Sequence, residues 1–237
     1  MKIAPNTPNC NICLEAPNSI FRHLSKEERD ELMFEKSCTF QRRSNIIYHE
    51  GNRINGFYCV SSGVIKLYKT GIDGKEQIIR FAQKNDIFGY RSVLSGEMAC
   101  TTAKVITDAT LCYISSNHLF KLVKTNPNFS IELMQLACRE LGEANKFILD
   151  IAQKSVRERL AEVLLLLRET FDLEPDGTLK ITLTREELSN IVGTATESVI
   201  RLLSEFKQDN LIDINGRKIR IINIKGLQKT GNVYDGH

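Results

Sequence analysis

The chain has 237 residues, 42% of them hydrophobic and 26% charged, with a formal net charge of +3. That composition excludes a disordered or fibrous chain and supplies apolar material for one large or two modest globular domains, while the weak positive charge permits a nucleic-acid partner without demanding one. Apolar runs stay short, as from Val163 to Leu167, and no basic segment followed by an apolar stretch opens the chain, so neither a membrane span nor a secretory signal is expected and the expected location is cytoplasmic.

The seven cysteines are scattered, which suits reduced thiols better than a disulfide scaffold. Residues 1–24 form a tail rich in Pro and Asn that carries Cys10 and Cys13. From about Cys38 to Ser115, short strand-like runs follow one another: NIIYHEG, FYCVSSG, VIKLYKTG, EQIIRF, AKVIT and ATLCYIS. Gly, Asp, Asn and Ser separate them, a spacing that predicts an antiparallel sandwich or barrel within a domain at 25–126. Asp73 and Gly74 lie between two of the runs as a hairpin turn. After Pro127 the period changes. Met134, Ala137, Leu141, Ala144, Ile148 and Ile151, with Ser155 beyond them, alternate spacings of three and four. This is the seam pattern of a coiled coil, flanked by Arg139, Glu140, Glu143, Lys146 and Asp150, and it predicts a helix at 127–155 that pairs with a second copy. The alternative is a helix laid on its own sheet.

A further helical pattern runs from Val156 to Phe171, and LEPDG breaks it. LKITL then reads as a short strand. Thr184 is a good N-cap, with Glu187 three residues on completing a capping box, so a short helix is expected from Arg185 to Ile191. A second helix is expected from Thr194 or Ala195 to about Asp209, and LIDINGRKIRIIN reads as two strands around an Asn215–Gly216 turn of type I′. Helix, tight turn, helix and hairpin is the order of a winged helix-turn-helix, here at 156–237. The fold class expected is α+β.

In that motif the first helix braces the second, whose N-terminal residues enter the major groove of double-stranded DNA. Glu197 and Arg201 lie one turn apart on one face of the second helix, with Thr194, Thr196 and Ser198 near its start. A guanidinium bonds guanine O6 and N7 together, and a carboxylate accepts from the cytosine amino group. An acidic residue at this place repels phosphate and is tolerable where it meets a base donor. The plain alternative is a surface salt bridge between the two, worth about 0.3–0.5 kcal/mol. Arg185, Arg217 and Lys218 are candidates for phosphate contacts that set position without reading sequence.

The β-rich domain, the long helix and ITLTREELSNIVGTATESVIRLLSEFKQDNLI together resemble the family of bacterial regulators typified by the cyclic-AMP receptor protein and the fumarate and nitrate reductase regulator. The likeness covers nearly the whole chain, and the family's Glu and Arg fall on Glu197 and Arg201. The resemblance implies a cyclic-nucleotide-binding-type β-roll (a jelly roll), a dimerisation helix and a winged helix, in a homodimer that binds a palindrome beside promoters. It also implies RNA polymerase as a partner and no enzymatic activity. Thr196 stands where the cyclic-AMP branch has an Arg, which suggests a half-site closer to the TTGA type.

The segment DIFGYRSVLSGEMACTTAKV resembles the phosphate-binding stretch of that β-roll, where members binding cyclic AMP carry an acidic residue soon after the first Gly and an Arg-Ser pair near the end. Tyr90 takes the first place, and Ala99 and Cys100 take the second. A cyclic phosphate needs a cation or several N–H donors, and a ribose hydroxyl is well served by a carboxylate. Both are missing from the usual places, which argues against cyclic AMP. Arg91 supplies a cation from a shifted position or is a surface residue. Another small-molecule effector stays open, with Gly89, Tyr90, Arg91, Cys100 and Thr101 as candidate lining.

An iron-sulfur alternative rests on Cys10 and Cys13, a CxxC, and on Cys112, which matches a distal cluster cysteine of the family. A [4Fe–4S] cluster ordinarily takes four thiolates. The family's third N-terminal cysteine would fall near Ser19, and Cys38 substitutes only if the chain folds back. A cluster with oxygen or redox sensing, a disulfide or zinc role for the CxxC, and no metal at all remain open. His23, His49, His118 and His237 show no paired-ligand spacing, so haem is not expected. A thiol redox enzyme would need a βαβ context around Cys10 and Cys13, which the tail does not offer. A β-roll that binds an effector without DNA leaves the segment from Thr184 to Asn223 unexplained.

Overall fold

The computed structural model describes residue 16 and residues 19–233. Cys10, Cys13 and His237 therefore lie outside the described residues. The chain divides into two compact units, one reaching to residue 71 and resuming at 78–142, the other made of 72–77 and the chain from 143 onward.

In the first unit, α1 (Lys26–Glu35) precedes β1 (Ser37–Gln41), β2 (Ile46–Tyr48), β3 (Gly56–Thr70), β4 (Glu76–Ala82, whose first two residues group with the second unit), β5 (Ile87–Phe88), α2 (Tyr90–Ser95), β6 (Thr102–Ser115) and α3 (Ser116–Thr125). The sheet order is β1-β6-β3-β4, with β2 paired to β6 and β5 to β3. Two of the expected breaks are absent. FYCVSSG and VIKLYKTG fuse into the single strand β3, and AKVIT and ATLCYIS fuse into β6. The join in β3 is a bulged stretch, with register shifts from Val60 to Ile65. Gly63 sits there at φ 86°, and a Cβ on it would lie 2.6 Å from the Ala109 Cα of β6. Only glycine combines that positive φ with so close an approach, so SSG reads as a turn but acts as a bulge.

Side chains from the strands form two apolar clusters. One, around Phe21, Phe57, Leu119, Phe129 and Leu133, joins the sheet to α1, α3 and the start of α4 (Pro127–Gln153). The other, around Val60, Ile65, Phe88 and Leu111, lies within the roll. Cys38 and Cys112 face each other in register across β1 and β6 and are joined as a disulfide. This corrects the expectation of reduced thiols at these two positions and takes Cys112 out of the candidate metal ligands. The two are separated by 74 positions in sequence, and pairing register across strands is not visible in spacing.

The stripe expected along α4 is split. Met134, Leu141 and Ile148 are 60%, 62% and 65% exposed, whereas Ala137 packs against the core of its own unit. Ala144 is exposed, and Ile151 is partly exposed with its side chain beside Gly193. Glu140 is likewise turned inward, to Arg80 of β4.

The second unit holds α5 (Val156–Phe171), α6 (Arg185–Val192), α7 (Thr196–Gln208), the hairpin β7 (Ile212–Asn215) and β8 (Lys218–Ile221), and α8 (Ile224–Thr230). Ser155 opens α5 with a reciprocal capping box to Glu158, and Leu160, Leu164 and Leu167 are buried along it. LKITL is not a strand: its neighbourhood contributes two isolated bridges, Leu173 with Leu179 and Thr178 with Arg220. The hairpin turn also differs from expectation. Asn215 pairs with Lys218, so the turn residues are Gly216 and Arg217, and only Gly216 has positive φ. A type I′ turn needs positive φ at both central residues, whereas Gly first is the type II′ requirement. Helix α8 was not anticipated; Asn223 caps it by accepting from Gly226 N at 2.8 Å.

Candidate nucleic-acid interface

Helix α6 begins where local chemistry demands. Thr184 Oγ1 accepts from Glu187 N at 3.0 Å, and Thr184 N donates to Glu187 Oε2 at 2.7 Å, so two otherwise orphaned donors are satisfied. It ends at Gly193, whose φ of 72° turns the chain at no steric cost. The last carbonyls of α6 are taken up from a distance: Arg159 Nε donates to Val192 O at 3.0 Å, and Gln77 Nε2 donates to Asn190 O at 2.7 Å. Thr194 O accepts from Lys75 Nζ at 2.6 Å, while Thr194 N closes back onto Ser189 O. Thr196 does not stand free at the helix start; its hydroxyl bonds the Ser189 hydroxyl at 3.1 Å and stitches the two helices together.

Helix α7 is strongly two-faced. Val199, Leu202, Leu203 and Phe206 are buried, and Glu197, Ile200, Arg201 and Ser204 are exposed, with Ser198 half-buried. Its N-cap is Ala195, which offers no side-chain oxygen to the first amides. The helix therefore opens with uncapped donors and the positive end of its dipole, beside Thr196, Glu197 and Ser198. Arg201, 68% exposed, pairs with Glu205 at 2.7 Å rather than with Glu197.

Glu205 is shared. Its other oxygen holds Arg157 of α5 at 2.8 Å, and Arg157 also reaches Asp209 and lies over the Phe206 ring at 4.8 Å. One arginine thus fixes the rotation of α7 about its axis through two ion pairs and a cation–π contact. Neither Arg157 nor Arg159 was singled out in the sequence, because partners 33 and 48 residues away leave no local pattern.

Arg185 is placed differently from a free phosphate ligand. Its Nη2 donates to Gly216 O in the wing turn at 2.9 Å, its Nη1 is buried, and burial holds its pKa below the ordinary value. It ties the start of α6 to the hairpin. Arg217 and Lys218 are exposed at the hairpin tip, and at its base Asp213 binds both Lys207 and Arg220 at 3.0 Å. The Lys207 bond holds the Asp213 carboxyl below its usual range, helped by the Ile214 amide. Arg201 and the tip residues Arg217 and Lys218 are thus held in one unit with the uncapped start of α7.

In the first unit the candidate effector residues come apart. Gly89, in the left-handed region at φ 84°, opens α2, and Tyr90 follows with 1% exposure. Burial, and secondarily the Glu140 charge, pushes the Tyr90 phenol up. Arg91 is exposed. Cys100 N donates to Ser92 Oγ at 3.3 Å, and Thr101 is engaged with the buried phenol of Tyr48. Arg80, ion-paired with Glu140, also donates to Ile87 O at 2.7 Å. The chain's own Tyr90, Arg80 and Glu140 therefore gather where the resemblance implied a ligand's sugar and phosphate. The sequence pattern places Glu140 among the outward charges of α4 and carries no sign that Arg80 of β4 meets it.

Among the described residues, no group of three or more His, Cys, Asp or Glu is placed to hold a metal ion, and no helix is long and apolar enough to cross a membrane. Residues 40–126 match the family model of a cyclic nucleotide-binding domain, and residues 158–230 match that of a Crp-like helix-turn-helix domain. The chain is 26% identical over 222 residues to the transcriptional activator protein Anr of Pseudomonas protegens, covering 92% of this chain and 91% of that one. It is also 26% identical over 189 residues to a CRP-like cAMP-activated global transcriptional regulator of Mycobacterium tuberculosis, covering 79% and 84%. Among solved structures, FixK2 from Bradyrhizobium japonicum has the same fold, with a TM-score of 0.73 at 24% identity over 82% of this chain and 96% of that one.

Proposed function

As a member of the family of the cyclic-AMP receptor protein and the fumarate and nitrate reductase regulator, this chain is a DNA-binding transcription regulator and not an enzyme, and we propose that it acts as a homodimer reading a palindromic promoter site. Glu197 and Arg201 read base edges, and Arg217 and Lys218 hold phosphates beside them. The observation that carries this reading is the exposed face of α7: an uncapped helix start followed within two turns by a carboxylate and a guanidinium, while its opposite face is buried. Bare amides at a helix start suit a phosphate, and the side chains one turn further on reach the groove floor. Two such helices meet half-sites about one helical turn apart, near 34 Å. Transcription then responds through RNA polymerase bound alongside.

The β-roll receives the signal, and that signal is not cyclic AMP taken in the family's manner. Tyr90 replaces the carboxylate acceptor, Cys100 presents no cation, and Arg80 is already paired with Glu140. The iron-sulfur reading is weakened at Cys112, whose sulfur is bonded to Cys38.

Selection from a random double-stranded DNA library, with the purified full chain and no added nucleotide, tests the proposal. A palindrome with half-sites one turn apart is the expected product. Enrichment of a single, non-repeated site would overturn the dimeric reading, and an enriched site that the Arg201→Ala protein selects and binds equally well would overturn sequence reading by α7.

A further inference from the structure

In the first unit, the loop between β2 and β3 borders an open cavity of about 490 Å³, lined by the rings of Tyr48, Tyr58 and Tyr113 and by the side chains of Asn52, Arg53 and Asn55. A space of that size takes a small organic molecule. None of these residues lies in the stretch from Asp86 to Val105 that resembles the family's phosphate-binding segment. We propose that this cavity binds a planar aromatic carboxylate, its ring against the tyrosines and its carboxylate on Arg53. Binding here stands apart from the homodimer and the palindrome proposed above and holds whether or not they do.

The aromatic walls are held in place. The Tyr58 ring stacks on Phe88 at 5.2 Å, meets Tyr113 at 5.3 Å with an interplanar angle of 60°, and has Tyr48 at 6.0 Å. Two rings inclined in this way form a corner in which a flat ring finds a face on one wall and an edge on the other. Tyr113 fits there because Gly56 has no side chain: a Cβ on it would lie 2.6 Å from Tyr113 Cζ. Burial, and secondarily the nearby Tyr113, holds the Tyr58 phenol above its ordinary value, so it stays a neutral hydroxyl beside an anion.

The polar side of the cavity is fixed through its backbone while its side chains stay unpaired. Gly51 N donates to Ala99 O and Ala99 N donates to Asn52 O, both at 2.8 Å, and Ser116 N donates to Asn55 O at 2.9 Å, so the loop is pinned at both ends. Among the described residues, the side chains of Asn52, Arg53 and Asn55 find no hydrogen-bond or ion-pair partner. The nearest acid along the chain, Glu50, is taken by Lys69 at 2.8 Å. Arg53 is the one cation among the described lining residues, and no carboxylate is among them, so the charge of the cavity selects an anion. A guanidinium fork matches the two oxygens of a carboxylate, and the two carboxamides, carrying donors and acceptors, suit polar substituents on the ring.

Isothermal titration calorimetry of the full chain with 1-naphthoate and with its uncharged counterpart 1-naphthamide tests the site, alongside Arg53→Gln and Tyr113→Leu, each checked for an unchanged circular dichroism spectrum. Naphthoate is expected to bind the unsubstituted chain about tenfold or more tighter than naphthamide, the margin of a charge-assisted bond. Arg53→Gln is expected to bring naphthoate down to the level of naphthamide while leaving naphthamide unchanged, and Tyr113→Leu to weaken both. Equal binding of acid and amide by the unsubstituted chain, or a preference for the acid that survives in Arg53→Gln, overturns the role of Arg53 and with it the proposal. Displacement of naphthoate by inorganic phosphate at equal concentration would mean an exposed cation without an aromatic pocket, and unchanged binding in Tyr113→Leu would place the ring elsewhere; either result overturns it. So does the absence of naphthoate binding at millimolar concentration.

Discussion

Replacing Arg201 by Ala separates base reading from charge attraction. In the free protein the guanidinium holds Glu205 at 2.7 Å while 68% exposed, and an exposed pair at this spacing on a helix is worth about 0.3–0.5 kcal/mol. A bidentate contact to guanine discriminates by about 1–3 kcal/mol. Reaching the base gives up the first to gain the second, so the net loss on Arg201→Ala is about 0.5–2.5 kcal/mol, or about 2- to 70-fold in Kd. The fold itself should hardly notice, since Ala is the better helix former and Arg157 still holds Glu205. Fluorescence anisotropy of the selected palindrome and of a scrambled duplex, each across a range of salt, measures the difference. The loss is expected on the palindrome alone, with an unchanged salt slope and relaxed preference at one base pair of each half-site. Equal weakening on both duplexes, with a shallower slope, would mean that Arg201 holds a phosphate and would refute the assignment.

Lys218→Ala is expected to do the opposite, weakening both duplexes alike and flattening the salt slope in the same titration. Arg159→Ala leaves the Val192 carbonyl without its donor, and urea denaturation should show about 1–2 kcal/mol lost from the helix-turn-helix unit. Gly63→Ala forces a side chain into a positive-φ position against Ala109, at a cost of about 2 kcal/mol or more in the same assay; a smaller effect would mean that the bulge relaxes readily. Glu162 gives a pH test. Burial pushes its carboxyl up, but the bonds from Lys146 and Lys154 outweigh that and leave it below its usual 4.5. A folded-state pKa below the unfolded value stabilises above about 4.5, and that contribution is lost as pH falls through the folded value. Glu162→Gln should therefore lower stability at neutral pH and flatten the decline below pH 4.5, as followed by thermal melts.

The helix-turn-helix was legible because its signals are local. Thr184 and Glu187 cap one another three residues apart, Gly193 allows the left-handed turn, and the apolar face of α7 repeats with the helix period. The expected start of α6 at Arg185 matches the observed one, and its end differs by one residue. Elsewhere local signals misled. SSG resembles a strand end, but Gly63 is a bulge needed because β6 passes too close for a side chain. LKITL has strand propensity, but the hairpin next to it offers only the single bridge of Thr178 with Arg220.

What the amino-acid sequence determined by itself is everything that depends on neighbours within about a turn of helix or a tight hairpin: where the helices begin, which residues of α7 share a face, and that α4 carries a three-four repeat. The tertiary structure decided which side of a repeat faces outward and which distant groups meet. Ala137 and Cys138 are adjacent on α4, and it is the core cluster of the first unit packed against Ala137 that leaves Cys138 facing solvent. Arg157 reached Glu205, and Cys38 reached Cys112, for the same reason. Burial and cross-strand register depend on the whole folded chain, and spacing in sequence carries no record of them.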